Sequence, residues 1–278
     1  MLLGESDVGK SHYGAQLLLR LNQKNYALRM RGAATNLDAF DEVTRALAEG
    51  KSAGHTSWTT YLESLWPVVD ENGNEIDLEW PDYGGEQVRR LIDDRKVPLV
   101  WRDRLLSCDG WLLMVRIQRS GVEDDIFSRP LADILSRRAA EGVKEIRSSI
   151  QARLVELLQM LIYVRGEGTS KPLNSPALTI LLSCWDELGS EGEERTPAQV
   201  LHSRLPLLSS FVKTNWVDDR VEVLGLSALE KSLQPDQADA DYIDKGPENF
   251  GYVVLSDGRR DADLSLPIAR LAATLAKR

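Results

Sequence analysis

The feature that most constrains this chain is its first stretch, which reads Leu-Leu-Gly-Glu-Ser-Asp-Val-Gly-Lys-Ser over residues 2–11. It fits the phosphate-loop pattern of Gly, four residues and Gly-Lys-Ser, placed after a short apolar segment and before a helical run. Gly4 and Gly9 let the backbone turn tightly, so that successive N–H groups face a polyphosphate. Lys10 supplies a cation for the outer phosphates, and the hydroxyl of Ser11 is a hard oxygen ligand for Mg²⁺. The predicted contacts of a nucleotide at this loop are Gly4, Glu5, Ser6, Asp7, Val8, Gly9, Lys10, Ser11 and His12.

Composition narrows the classes of protein that can carry this loop. At 42% hydrophobic and 28% charged residues, the 278-residue chain has the balance of a soluble globular protein. The net charge of −9 argues against binding of a nucleic-acid backbone. Cys108 and Cys184 offer neither a disulfide framework nor a metal cluster, which favours a reducing cytoplasm. Because no apolar run approaches the roughly 20 residues of a membrane span, we expect a cytoplasmic protein without one.

Strands alternate with helices along the chain. Continuous apolar runs at 111–115, 178–182 and 221–226 predict buried parallel strands, and helical patterns separate them. Asn72-Gly73 between two strand-like runs, 58–70 and 76–80, predicts a β-hairpin that adds one antiparallel strand to this sheet. The predicted fold is therefore an α/β fold with a mostly parallel central sheet and helices on both faces. We expect one domain over residues 1–278, with a helical insertion at about 116–149 and a C-terminal extension at about 230–278.

Polar residues follow the predicted strands at their carboxyl ends, where ligands of open α/β sheets bind. Asp82 ends the second hairpin strand and is followed by Tyr83, Gly84 and Gly85 before a helix starts. A carboxylate and paired glycines at this point are expected of a Mg²⁺-directed Asp and a turn that senses the γ-phosphate. A plain strand-to-helix turn is the alternative for Asp82 taken alone. The phosphate loop upstream favours the metal role.

Taken in order, these stretches resemble the motifs of the translation-factor-related, Ras-like class of phosphate-loop GTPases. The loop matches in full, and Asp82 to Gly85 matches the Asp-x-x-Gly motif of that class. The segment Ser183, Cys184, Trp185 and Asp186 lies where the guanine-reading Asn/Thr-Lys-x-Asp belongs. Its partner Ser-Ala-Lys/Leu motif is matched by Ser227, Ala228 and Leu229. The resemblance spans residues 2 to about 229 and implies binding of GTP or GDP with Mg²⁺.

The resemblance also implies roles for single residues. Mg²⁺ is expected to be held by Ser11, Thr56 and Asp82, where Thr56 is the candidate switch threonine and Thr59 and Thr60 are its neighbours. The candidate catalytic residues are Lys10, Thr56, Gly85 and Glu86. Glu86 stands where many relatives have a water-orienting Gln, so hydrolysis is expected to be slow without an activating partner.

The base-reading motif departs from the class at two positions. Ser183 replaces Asn or Thr, and Cys184 replaces the lysine whose aliphatic stem covers the base in the family. Trp185 could compensate by stacking on the base. Asp186, which accepts the guanine N1–H and exocyclic amine in the family, is retained.

The long insertions and the tail from Asn249 to Pro267 resemble the bacterial double-GTPase group, whose genes are linked to conflict or defence systems and to partner proteins. The leading interpretation is a Mg²⁺-dependent GTPase switch with a protein partner. The alternatives are a catalytically weak nucleotide-binding scaffold, favoured by Glu86, and an ATP-using phosphate-loop enzyme, favoured by the altered base motif.

Overall fold

A computed structural model of the chain describes residues 1–23, 26–54, 62–82, 85–117, 149–168 and 170–276. Its strands are β1 (Leu2–Leu3), β2 (Leu28–Met30), β3 (Leu62–Asp70), β4 (Glu75–Asp82), β5 (Gly110–Arg116), β6 (Ala177–Ser183), β7 (Val221–Ser227), β8 (Tyr252–Val254) and β9 (Arg260–Asp261). Its α-helices are α1 (Lys10–Leu21), α2 (Asp38–Ala48), α3 (Gly85–Asp94), α4 (Leu99–Ser107), α5 (Ile150–Val164), α6 (Ser190–Glu194), α7 (Pro197–Arg204), α8 (Pro206–Asn215), α9 (Ala240–Lys245) and α10 (Leu266–Ala276).

The central sheet has six strands in the order β1-β5-β6-β7-β8-β9. The first four are parallel, and β8 and β9 add an antiparallel edge. All of β6 and nearly all of β5 are buried, as expected of parallel strands covered on both faces. The predicted α/β class and its mostly parallel sheet are confirmed.

The predicted hairpin is present, but its strands belong to a second sheet. In the described residues β3 pairs with β4 and with β2, and these three antiparallel strands form a sheet of their own. Its apolar face carries the stacked indoles of Trp66 and Trp80, 4.9 Å apart, which also contact Phe40 of α2. The apolar face of the hairpin is buried by packing of these rings against helices, and in the part of the chain that the structure describes the hairpin does not pair with the parallel sheet. The expectation that it adds a strand to the main sheet is corrected accordingly.

The C-terminal extension packs onto the beginning of the chain. The Tyr13 hydroxyl on α1 donates to the carbonyl of Leu264 at 2.9 Å. The Ala27 N–H donates to Asp263 Oδ2 at 2.6 Å, and the Leu28 N–H donates to Ser265 Oγ at 3.1 Å. The residues from 263 to 265 therefore satisfy backbone and side-chain donors of α1 and β2.

Two other expectations concern the chain as a whole. Most of the predicted insertion, residues 118–148, lies outside the described residues, so the division into one domain with an insertion stays a prediction. Among the helices that the structure describes, none combines the length and the apolar character needed to cross a membrane.

Candidate nucleotide-binding site

The phosphate loop connects β1 to the N-terminus of α1, and its backbone conformation depends on glycine. Gly9 caps α1 with a φ of 85°, and Asp7 has a φ of 63°. At Gly4 an added Cβ would lie 2.9 Å from Val8 Cγ2 and 3.1 Å from the carbonyl of Met114, so only glycine fits without displacement. Left-handed residues followed by a helix N-terminus form the concave array of N–H groups that binds phosphate.

Lys10 turns its ammonium back onto the loop. Its Nζ lies 2.9 Å from the carbonyl oxygen of Gly4 and 2.7 Å from that of Glu5. Both Lys10 and Ser11 line a cleft of about 410 Å³ at the carboxyl end of the parallel strands. The cation and the hydroxyl predicted for the phosphate end are thus both at the cleft.

An arginine that the sequence analysis did not single out supports the loop from the other side. Arg153 of α5 forms a paired contact with the Glu5 carboxylate, with Nε–Oε1 and Nη2–Oε2 distances of 2.9 and 3.1 Å. The Glu5 side chain is therefore engaged with α5, and only its backbone is left for the predicted phosphate contact. Nothing in the spacing of these residues, 148 positions apart, identifies the pair.

The base-reading segment follows β6 on the same edge of the sheet. Cys184 adopts the left-handed conformation, with φ 54° and ψ 45°, and lines the cleft with Ser183 and Asp186. The Ser227 hydroxyl at the end of β7 donates to Asp186 Oδ1 and accepts from the Glu230 N–H at 2.9 Å. The structure thus joins the two motifs that the resemblance assigns to the base.

Trp185 does not lie at this surface. Its side chain is 1% exposed, and its indole N–H donates to the carbonyl of Gly192 at 3.1 Å. On β7 a Cβ at Gly225 would approach Trp185 Cε3 to 2.6 Å, so this glycine makes room for the indole. The interpretation that Trp185 stacks on the base is wrong because the ring is packed in the core.

Arg116, at the end of β5, is a second functional candidate that sequence reasoning missed. Its Nη1 donates to the carbonyl of Asp7 in the phosphate loop at 3.2 Å. Its Nε donates to Glu187 Oε2 at 3.1 Å, and its Nη2 contacts the other Glu187 oxygen. The hydrogen bond that Arg116 donates to the Glu187 carboxylate raises the pKa of Arg116, so the guanidinium is cationic at every accessible pH.

A further wall of the cleft is formed by residues 52–54 and by the segment after β7, which includes Ala228, Leu229 and Lys231. The Ser52 N–H donates to the carbonyl of Gln234 at 3.2 Å and joins these two segments. A cleft of this volume is within the range that holds a nucleotide-sized ligand.

His12 connects α1 to that wall. Its Nε2 accepts a hydrogen bond from the Ala53 N–H at 3.3 Å, which requires the neutral imidazole. Burial lowers the pKa of His12, so the neutral form is favoured. Besides its predicted role at the nucleotide, His12 therefore holds the loop at residue 53 in place.

The structure describes some of the remaining predicted site residues and not others. Thr56, Tyr83 and Gly84 lie outside the described residues. Asp82 ends β4, as the sequence predicts, and α3 begins at Gly85, which the sequence pattern places just before the helix. Ser11 and Asp82 are hard oxygen donors, which is the ligand chemistry that Mg²⁺ prefers. Coordination of Mg²⁺ by these two residues stays a prediction.

Comparison with known proteins adds one result. A protein-family model described as Double-GTPase 1 matches residues 1–271. Searches of curated proteins and of solved structures found no match.

Proposed function

The chain belongs to the Double-GTPase 1 family, and from this premise we propose that it is a Mg²⁺-dependent GTPase that works as a molecular switch. One observation carries the proposal. The phosphate loop, with Lys10 and Ser11, and the two segments that contain Asp186 and Leu229 line the same cleft. Such a cleft has N–H groups that can bind phosphate at one end and a carboxylate that can bind the base at the other, which suits a guanine nucleotide.

At the phosphate end, the N–H groups of the loop and of the first turn of α1 would bind the phosphate oxygens. Lys10 would exchange its contacts with the carbonyls of Gly4 and Glu5 for contacts with the outer phosphates. Ser11 and Asp82, with Thr56, would hold Mg²⁺, which neutralises charge that develops on the phosphates.

At the base end, Asp186 would accept the two N–H donors on one edge of guanine. Its carboxylate is oriented by the Ser227 hydroxyl, which the Glu230 N–H holds in turn. Adenine presents an acceptor at the equivalent ring nitrogen, so the carboxylate would face a lone pair. This contrast favours GTP over ATP even with Ser183 and Cys184 in the motif.

Hydrolysis by the isolated chain is proposed to be slow, with a rate of about 10⁻⁴ to 10⁻² per second, as for switch GTPases without a partner. Glu86 in place of a water-orienting Gln is the reason for this expectation. A protein partner would then supply the missing group. The likeness to the double-GTPase group supports a role in a bacterial conflict or defence system.

The test is a competition titration of the purified chain with GTP, GDP and ATP in the presence of Mg²⁺. We expect GTP to bind at least about a hundredfold more tightly than ATP, the discrimination that two charge-assisted hydrogen bonds provide. Lys10→Ala should weaken GTP binding by about 1.5–3 kcal/mol without unfolding the protein. Equal affinity for GTP and ATP would favour an ATP-using enzyme.

Turnover is measured in the same preparation. Glu86→Gln should raise the rate or leave it unchanged, because an amide repels the γ-phosphate less than a carboxylate does. GTP binding without any measurable hydrolysis in either variant would favour the scaffold.

A further inference from the structure

Arg116 stands at a point of the cleft that none of the sequence motifs covers. It ends β5 and is in register with Ser183 at the end of β6. In the sheet, β5 lies between β1, which leads into the phosphate loop, and β6, which leads to Asp186. Because parallel strands present their carboxyl ends at one edge, Arg116 lies between the phosphate end and the Asp186 end of the cleft.

Two contacts fix the plane of the guanidinium. One is the hydrogen bond to the carbonyl of Asp7 at 3.2 Å, and the other is the paired contact with the Glu187 carboxylate. The side chains of Arg116 and Glu187 are 24% and 16% exposed, so the pair is partly shielded and still reaches the cleft. A guanidinium held in this way is a flat, preorganised surface on which an aromatic ring stacks.

Cys184 and Trp185, the two residues just before Asp186, do not provide that surface. Cys184 lines the cleft, but its side chain ends at Sγ and is too short to cover a purine. Trp185 is packed in the core against Gly225. On the other flank of β6, Leu229 follows β7 and lines the cleft. A base held by Asp186, just after β6, therefore has Arg116 on its β5 side and Leu229 on its β7 side.

We propose that the guanidinium of Arg116, held by Asp7 and Glu187, is the stacking surface for the purine base on the β5 side of the cleft. Arg116 is then a determinant of nucleotide affinity that acts on the base and not on the phosphates. This inference rests on the proposed function, because it needs a guanine nucleotide with its base at Asp186.

The experiment compares two ligands, GTP and tripolyphosphate, which lacks a base. In Arg116→Ala we expect GTP affinity to fall about tenfold or more, since a desolvated cation–π contact is lost. Tripolyphosphate affinity should change by less than about twofold, because the phosphate contacts are elsewhere. Arg204→Ala is the matched control. It removes a guanidinium that pairs with Glu191, outside the cleft lining, and should alter neither affinity.

Arg116→Gln is measured in parallel, so that the proposal stays testable if the alanine variant fails to fold. It keeps an N–H donor but lacks the guanidinium, and the same selective loss of GTP affinity is expected. Unchanged GTP affinity in a folded variant would overturn the proposal. An equal loss for both ligands would also overturn it, since Arg116 would then act on the phosphate loop through the carbonyl of Asp7. Failure of the wild type to bind GTP would instead overturn the proposed function.

Discussion

The hydroxyl of Ser227 donates a hydrogen bond to Oδ1 of Asp186, and this contact joins the end of β7 to the segment after β6, 41 residues away in the chain. The same hydroxyl oxygen accepts from the Glu230 N–H at 2.9 Å, so its single proton is directed at the carboxylate. Ser227 is fully buried, which protects the contact from water. The orientation of Asp186 in the cleft is therefore set by a residue on the neighbouring strand.

Asp186→Asn should change the base that the protein prefers. The amide of Asn donates where the carboxylate accepts, so it pairs with the carbonyl of xanthine rather than with the N–H groups of guanine. We expect the preference to move from GTP to XTP, with a loss of GTP affinity of at least about 3 kcal/mol. A competition titration with GTP, ATP and XTP measures it. No gain for XTP in a folded variant means that Asp186 does not read the base.

Ser227→Ala should weaken GTP binding while leaving the phosphate contacts intact. The variant removes the hydrogen bond that orients Asp186, and a hydrogen bond to a charged group contributes about 1.5–3 kcal/mol, so GTP affinity should fall roughly tenfold or more. Tripolyphosphate serves as the ligand without a base. Ser256→Ala is the control, because the Ser256 hydroxyl also donates to a carboxylate, that of Glu222, outside the cleft lining. An equal effect of both variants on GTP affinity would contradict the orienting role.

Gly14→Ala should destabilise the protein although alanine favours helices. An added Cβ on α1 would meet Phe40 Cε1 and would lie 2.9 Å from Trp80 Cζ2. Overpacking of this rigid aromatic cluster costs about 1–3 kcal/mol, which exceeds the gain of about 1 kcal/mol in helix propensity. Denaturant unfolding measures the change in the free energy of unfolding.

Gly168→Ala is the matched control for that measurement. Among the described residues other than its chain neighbours, only Ser170 Oγ would lie within 4 Å of this Cβ, at 3.9 Å, so the change should stay within about 0.5 kcal/mol. A stability gain in Gly14→Ala would show that the rings of Phe40 and Trp80 move aside readily.

His12→Gln should reduce the loss of stability at acidic pH. Burial lowers the pKa of His12 in the folded protein, so below about pH 6.5 the unfolded chain binds a proton that the folded chain does not. The contribution of His12 is therefore fully present above its ordinary pKa and is lost as pH falls through the lowered value. Gln offers an oxygen to the Ala53 N–H and does not titrate in this range.

The measurement is the melting temperature of the wild type and of His12→Gln at pH values from about 7.5 to 5.5. The difference between the two proteins should move in favour of the variant as pH falls. A difference that is constant with pH would contradict a titrating contact at His12.

The phosphate loop and the proximity of Asp186 to Ser227 could be predicted from the sequence for different reasons. The loop is a contiguous stretch, and Gly4 and Gly9 permit a close backbone approach and a positive φ that residues with a Cβ adopt only with strain. Asp186 and Ser227 are distant in the chain, but both follow apolar strands. Parallel strands bring their carboxyl ends to one edge of the sheet, so this proximity follows from topology alone.

The side chains that surround those motifs are determined by packing between distant parts of the chain. The sequence pattern predicts Trp185 at the surface of the cleft, but the residue is buried because Gly225 leaves room for its ring. In the sequence Arg116 is only the polar end of a strand, but its hydrogen bonds to the carbonyl of Asp7 and to the carboxylate of Glu187 hold its guanidinium at the cleft. These outcomes depend on contacts between residues far apart in the chain. A local pattern fixes where a strand or a loop begins, but the packing of neighbouring elements decides which side chains reach the cleft.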